Sequence, residues 1–348
     1  MIIYLYIYLI NFYYINMKII IVGGGFAGMS AAHFLSKYPD FEITLLESEN
    51  DIGGQARSMY GKFCYIEYSW RVYGTSYHNV NKIINEIGAD KNFIEIKNAC
   101  MNYNNKTYYD GLQHMEIVRS LITNKKYSTL NKLTEINTIC RERAINEYDN
   151  IGANEYFKDN DIIKTILGPF LGMEANKISL SGYYKNLLSI SDYRKFDYSP
   201  NKTRITKYPT QESLFNIWKE YLIKKGVKFL TSTRITNINI SNNKVINIIC
   251  KNNNEEIILS ADDYIFAFSL KQLNVLINKN NYFINKKIKY ELKKLEEGLQ
   301  LYFTINMYFS ENFYDENPCN EIVLIDTPWK LIIQRKVYWK DTYLNKCK

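Results

Sequence analysis

The chain has 348 residues, 46% hydrophobic and 23% charged, with a formal net charge of +8; this excludes wholesale disorder and leaves room for about two domains. Six cysteines (Cys64, Cys100, Cys140, Cys250, Cys319, Cys347) lie scattered with no C-x-x-C, and there are only three histidines, His33, His78 and His114. That argues against a disulfide scaffold, a zinc ribbon or a histidine-rich metal centre, so no metal is expected, and it fits a reducing, cytoplasmic setting.

Residues 1–16 (MIIYLYIYLINFYYIN) are uncharged and apolar. They lack the positive leading region and small-residue cleavage site of a signal peptide, and fall short of the ~20 apolar residues a membrane span needs. Met17 stands directly before the first predicted strand, so the stretch is read as an upstream extension, with contact to a membrane surface as the alternative. The chain is rich in Tyr (31 residues), Asn, Ile and Lys, which A/T-rich codons encode, so clusters of these carry little functional meaning.

Residues 18–22 form a short apolar run, as expected of a strand buried on both faces. Gly23-Gly24-Gly25-Phe26-Ala27-Gly28 follows, then a helical pattern over 29–38. Gly23 permits the tight turn, Gly25 lets backbone amides approach a pyrophosphate, and Gly28 lets the helix pack closely on the strand. A second strand over 41–46 ends at Glu47, about 20 residues beyond the last glycine, where an acid binds ribose hydroxyls. A second glycine pair lies in Asp51-Ile52-Gly53-Gly54-Gln55-Ala56-Arg57-Ser58, and Arg57 offers a planar charged fork. A nicotinamide-binding Rossmann domain has no need of this second loop.

From Lys18 to Ser58 the sequence resembles the N-terminal FAD signature of the flavoprotein superfamily that includes amine oxidases and carotenoid (phytoene) desaturase-like oxidoreductases. The resemblance implies an α/β fold, a Rossmann-like FAD-binding domain with an interleaved α+β substrate domain. It assigns cofactor contacts to Gly23, Gly25, Phe26, Ala27, Gly28, Glu47, Gly54, Gln55 and Arg57, Gln55 standing where many relatives carry Arg or Lys. Glu67-Tyr68-Ser69-Trp70-Arg71-Val72-Tyr73-Gly74, followed by a helical stretch over 77–88, looks like the desaturase-like branch. Tyr68 stands at that branch's usual His, and Ser69-Trp70 where amine oxidases have two glycines. Trp70 and Tyr73 read equally well as core aromatics.

Residues 91–198 lack a strand-helix rhythm and contain helical patterns, such as 112–121, fitting a largely helical insertion on the substrate side. Gly168-Pro169-Phe170-Leu171-Gly172-Met173 is a helix break read as a packing loop. A helix over 213–225 and strands over 227–230, 233–236, 244–249 and 261–267 look like the second FAD-domain block, in which the backbone of Ile235 would meet the adenine. Strands over 299–309 and 322–326, with Pro328-Trp329 and Trp339, are similar to the substrate-domain sheet. The expected partition is 17–90 with 206–270 for FAD and 91–205 with 271–348 for the substrate. No basic run exceeds two residues, and Lys293-Lys294-Leu295-Glu296-Glu297 reads as a solvated helix face, so no nucleic acid is expected.

Relatives close with a further Gly-Asp FAD block that is not read after Trp339; a second chain supplying it is an expected partner. The resemblance implies hydride transfer from a small substrate, either apolar (a polyene or other lipid) or an amine, to flavin. The alternative is a non-catalytic FAD-binding remnant or half of a split enzyme. No catalytic residue is assigned.

Overall fold

The computed structural model describes residues 16–62, 65–68, 71–74, 77–95, 99–103, 106–109, 147–156, 177–182, 203–253, 255–279, 286–299, 304–307, 321–324 and 332–334. Residues 1–15, Ser69, Trp70, the 112–121 helical pattern, the 168–173 loop, Pro328-Trp329 and Trp339 lie outside the described residues.

The chain opens on strand β1 (Met17–Val22), helix α1 (Phe26–Leu35) and strand β2 (Phe41–Leu46). A hairpin of β3 (Ser58–Tyr60) and β4 (Tyr65–Glu67) precedes β5 (Tyr73–Gly74), α2 (His78–Glu86), β6 (Phe93–Glu95), β7 (Ala99–Tyr103) and β8 (Lys106–Tyr109). A one-turn helix α3 (Ala153–Tyr156) and β9 (Thr203–Thr206) lead to a π-helical turn, Gln211–Phe215, continued by α4 (Asn216–Lys224). Then come β10 (Lys228–Leu230), β11 (Thr233–Ser241), β12 (Lys244–Asn252), β13 (Glu255–Leu259) and β14 (Asp263–Phe266). Helices α5 (Leu270–Lys279) and α6 (Lys286–Glu297) and strands β15 (Glu321–Leu324) and β16 (Ile332–Gln334) complete the described elements.

Two compact units emerge, Met1–Ser69 with Pro209–Thr304 and Trp70–Tyr208 with Ile305–Lys348. In the first, a wholly parallel sheet runs in the order β10-β2-β1-β14. Its central strand β1 places Ile19 opposite Ile43 and Asp263, and Ile21 opposite Leu45 and Ile265. Ile19, Ile20, Ile21 and Val22 are all buried, which is why the strand reads as an unbroken apolar run rather than an alternating one. An antiparallel sheet, β11-β12-β13, shares a core with it: Ile20, Val22 and Leu46 cluster with Ile235, Ile238, Ile248, Cys250 and Leu276. This is the α/β, Rossmann-like architecture expected.

In the second unit β9 pairs antiparallel with both β5 and β6, and Arg204 on β9 reaches Asp90 (2.5 Å) and Asn81 (2.6 Å). These contacts draw residues 70–90 into the second unit, while α5 packs on β11 in the first. The compact units divide at 69/70, 208/209 and 304/305; the expected FAD and substrate segments divide at 90/91, 205/206 and 270/271. A second sheet, β16-β15-β7-β8, occupies the same unit. Residues 93–109 thus supply three strands to a stretch expected to be largely helical. Residues 304–307, expected within a strand, are not in one.

Candidate dinucleotide site

The first glycine loop lies between the end of β1 and the start of α1. Gly23 has φ of +113°, and a Cβ there would lie 2.6 Å from the carbonyl oxygen of Ala267, just beyond β14, so both backbone shape and crowding demand glycine. The loop is anchored by Gly23 N–H to Leu46 C=O (2.8 Å) and Ala267 N–H to Val22 C=O (2.8 Å). Gly25 caps α1 in an extended conformation, and the first helical hydrogen bond runs from Met29 N–H to Gly25 C=O, 2.9 Å. The N–H groups of Phe26, Ala27 and Gly28 precede it and have no intrahelical acceptor, which leaves the positive end of α1 able to receive an anion.

The second glycine loop docks on the first. Gly53 N–H donates to Gly24 C=O at 2.8 Å, and a Cβ on Gly54 would lie 2.9 Å from Gly25 Cα. Gly53 (φ +115°) leads into a one-turn helix, Gly54–Ala56, on which Gln55 is exposed.

Glu47, buried at the end of β2, is fixed from several sides. Its Oε2 accepts from Gly24 N–H (2.8 Å), and its Oε1 from Ser48 Oγ (3.0 Å) and Glu49 N–H (3.0 Å). Its backbone bonds Leu230 and Thr233 across the β10–β11 turn. The structure thus brings Glu47 to the first glycine loop across a sequence separation of 23.

Arg57 lies beside Glu49, Nη2 to Oε2 3.0 Å, and donates to the Tyr68 hydroxyl at 3.4 Å. Burial works against its charge, and the hydrogen bonds to Tyr68 and Glu49 outweigh it, holding the guanidinium above its ordinary value. Arg234 meets the other oxygen of Glu49 at 3.4 Å. Glu49, which the motif does not single out, therefore bridges two arginines.

The side chain of Phe26 packs edge-on to Phe215 (5.2 Å) and near Trp218 (6.0 Å), so what it can offer a dinucleotide is its backbone N–H. Ile235 has its side chain in the core and its backbone opposite Cys250, just before a register shift in the β11–β12 ladder. Among the described residues no three or more His, Cys, Asp or Glu side chains gather as a metal site, and no helix is long and apolar enough to cross a membrane.

Residues 21–87 match the family model of the NAD(P)-binding Rossmann-like domain. No curated protein matches the chain. Among solved structures, an oxidoreductase from Methanosarcina mazei is similar at TM-score 0.56 and 15% identity, covering 82% of this chain and 66% of its own. A protein from Pyrococcus furiosus is similar at TM-score 0.53 and 15% identity, covering 80% of this chain and 65% of its own. The chain thus spans just under two thirds of the length of each. Residues 21–87 are thus similar to the NAD(P)-binding Rossmann-like domain, and about four fifths of the chain shares the fold of these two structures.

Proposed function

We propose that the chain is an FAD-dependent oxidoreductase, related to amine oxidases and desaturase-like flavoproteins, in which hydride passes from an apolar or amine substrate to flavin. The observation that carries this reading is the second glycine loop seated on the first. One loop at a helix N-terminus is enough for a pyrophosphate; Gly53-Gly54 held against Gly24-Gly25 makes a double cradle with little side-chain bulk. The oxidoreductase fold of the Methanosarcina mazei structure supports the same class.

Gly25 adds a steric argument. A Cβ at Gly23, Gly28 or Gly54 would meet protein backbone at 2.9 Å or less, so packing alone explains those glycines. At Gly25 the nearest atom would be 3.7 Å away, an ordinary contact. The missing side chain at the mouth of α1 suits a ligand that must approach the backbone there.

Bound FAD would supply the hydride-accepting chemistry, and the chain would supply binding and orientation. The N–H groups of Phe26, Ala27 and Gly28 would face the diphosphate. Glu47 Oε2, which accepts one hydrogen bond from Gly24, keeps acceptor capacity for a ribose hydroxyl. Arg57, steadied by Glu49, retains further N–H donors for the same ligand.

Purified protein is expected to take up FAD and show a flavin absorbance spectrum, bleached anaerobically by an amine or polyene substrate. Gly25→Ala is expected to weaken FAD binding by about tenfold or more, since misplacing a charged diphosphate by a methyl group forfeits charge-assisted hydrogen bonds. Protein that stays colourless with added FAD would falsify the proposal.

A further inference from the structure

We infer that Gln211 is a positioning residue for the bound dinucleotide, stapling both ends of the second glycine loop to the helix that begins at its own π-helical turn. This rests on the FAD reading above and extends it to a residue that no part of the glycine signature contains.

Gln211 is 1% exposed, a degree of burial a polar side chain reaches at a cost unless its donors are used. Its Nε2 donates to Asp51 Oδ2 at 2.8 Å and to Asn216 Oδ1 at 3.1 Å. Its backbone N–H donates to Ser58 Oγ at 3.0 Å. Asp51 and Ser58 bracket the loop that carries Gly53 and Gly54, so one residue grips both ends of that loop. The grip continues inward: Ser58 Oγ donates to Glu67 Oε1 (2.9 Å), which also accepts Thr210 N–H (2.8 Å).

The same helix supports the middle of the loop. The Phe215 ring would lie 2.9 Å from a Cβ on Gly53, and Lys219 approaches Asp51 Oδ1 at 3.8 Å. Gln211, Phe215 and Lys219 recur at intervals of four, which keeps neighbouring turns on one side of the helix. Phe215 and Trp218 also touch Phe26 at the start of α1. One helix therefore sets the spacing between the two glycine loops, and the Gln211–Asp51 bond, an amide donating to a carboxylate, is its charge-assisted contact with the second. Widened π turns such as Gln211–Phe215 recur at functional sites.

The full chain is titrated with FAD, flavin fluorescence reporting affinity, and the flavin-free melting temperature of each variant is recorded. Gln211→Met keeps the length and burial but removes both amide bonds, and is expected to weaken FAD binding by about tenfold. Gln211→Glu faces the Asp51 carboxylate and is expected to weaken it at least as much. Combining Gln211→Glu with Asp51→Asn exchanges donor and acceptor, and is expected to bring affinity back to within about threefold of wild type. The inference is overturned if Gln211→Met binds FAD as wild type does, whatever its melting temperature. It is also overturned if the double variant binds no better than Gln211→Glu alone. Should Gln211→Met fail to fold, the donor-acceptor exchange decides. Wild-type protein that takes up no FAD removes the functional reading and this inference with it; unaltered uptake by the variants removes only the staple.

Discussion

At Gly28 an added methyl group would sit 1.8 Å from the carbonyl oxygen of Gly23, and no side chain can move to relieve the overlap. Gly28→Ala is therefore expected to separate α1 from β1 and to destabilise the chain by about 3 kcal/mol or more, read as a lowered urea midpoint or as insoluble protein. Gly25→Ala, by contrast, is expected to cost about 1 kcal/mol or less through its N-cap preference while weakening FAD binding. The pair separates a glycine required by packing from one required by a ligand. Cys250 offers a second residue-scale test. Burial pushes its thiol up to about 11. The unfolded chain, whose thiol keeps its ordinary lower value, loses the proton first, so this group makes stability fall as pH rises from the ordinary thiol value towards 11. Peptide mapping after mild alkylation at neutral pH should find Cys250 unlabelled in folded protein and labelled in urea; labelling in the folded chain would contradict its burial.

Helices α1 and α4 meet through a polar contact inside an aromatic cluster. Trp218 Nε1–H donates to His33 Nδ1 at 3.2 Å, and His33 stacks on Tyr221 with ring centroids 5.2 Å apart. His33 and Trp218 are both buried, so water cannot replace the bond if it is lost. Trp218→Phe keeps a ring in the cluster but removes the donor. It is expected to lower unfolding free energy by about 1–3 kcal/mol, the desolvation cost left on a buried acceptor, with little change in the denaturant slope. A variant as stable as wild type would show that the bond contributes nothing net. The element also bears on function, since Phe215 and Trp218 hold Phe26 at the mouth of the first glycine loop.

The first unit is discontinuous in sequence, interrupted by residues 70–208, yet its two ends meet. Glu67 Oε1 accepts the N–H of Thr210 at 2.8 Å across 143 residues of chain. A short Gly/Ser linker can close that gap at small entropic cost, because loop-closure entropy changes slowly with length. A chain with residues 70–208 replaced by such a linker is expected to melt cooperatively and to retain FAD binding within about tenfold of the full chain. Loss of cooperative melting would mean that the first unit depends on the second for its stability.

The strands β1 and β2, the glycine turn and the acid at the end of β2 could be read from the sequence because their determinants are local. A strand buried on both faces shows as an apolar run, a turn with positive φ shows as glycine, and Glu47 follows β2 directly. α1 starts at Phe26, not at Met29, because Gly25 supplies its cap, a difference of less than one turn. Other features depend on partners far along the chain. Strands β6 and β7 find partners at β9 and β15, more than a hundred residues away, and β8 pairs on β7, so a stretch without local rhythm becomes sheet. Glu49 between two arginines, and Gln211 gripping Asp51 across 160 residues, carry no periodic or motif signal at all. The sequence by itself determined that a glycine loop joins β1 to α1 and where it begins, since turn geometry and burial pattern are written in neighbouring residues. Only the tertiary structure decided how the second glycine loop is held against the first, because that spacing is set by hydrogen bonds and ring contacts between segments the chain brings together only on folding.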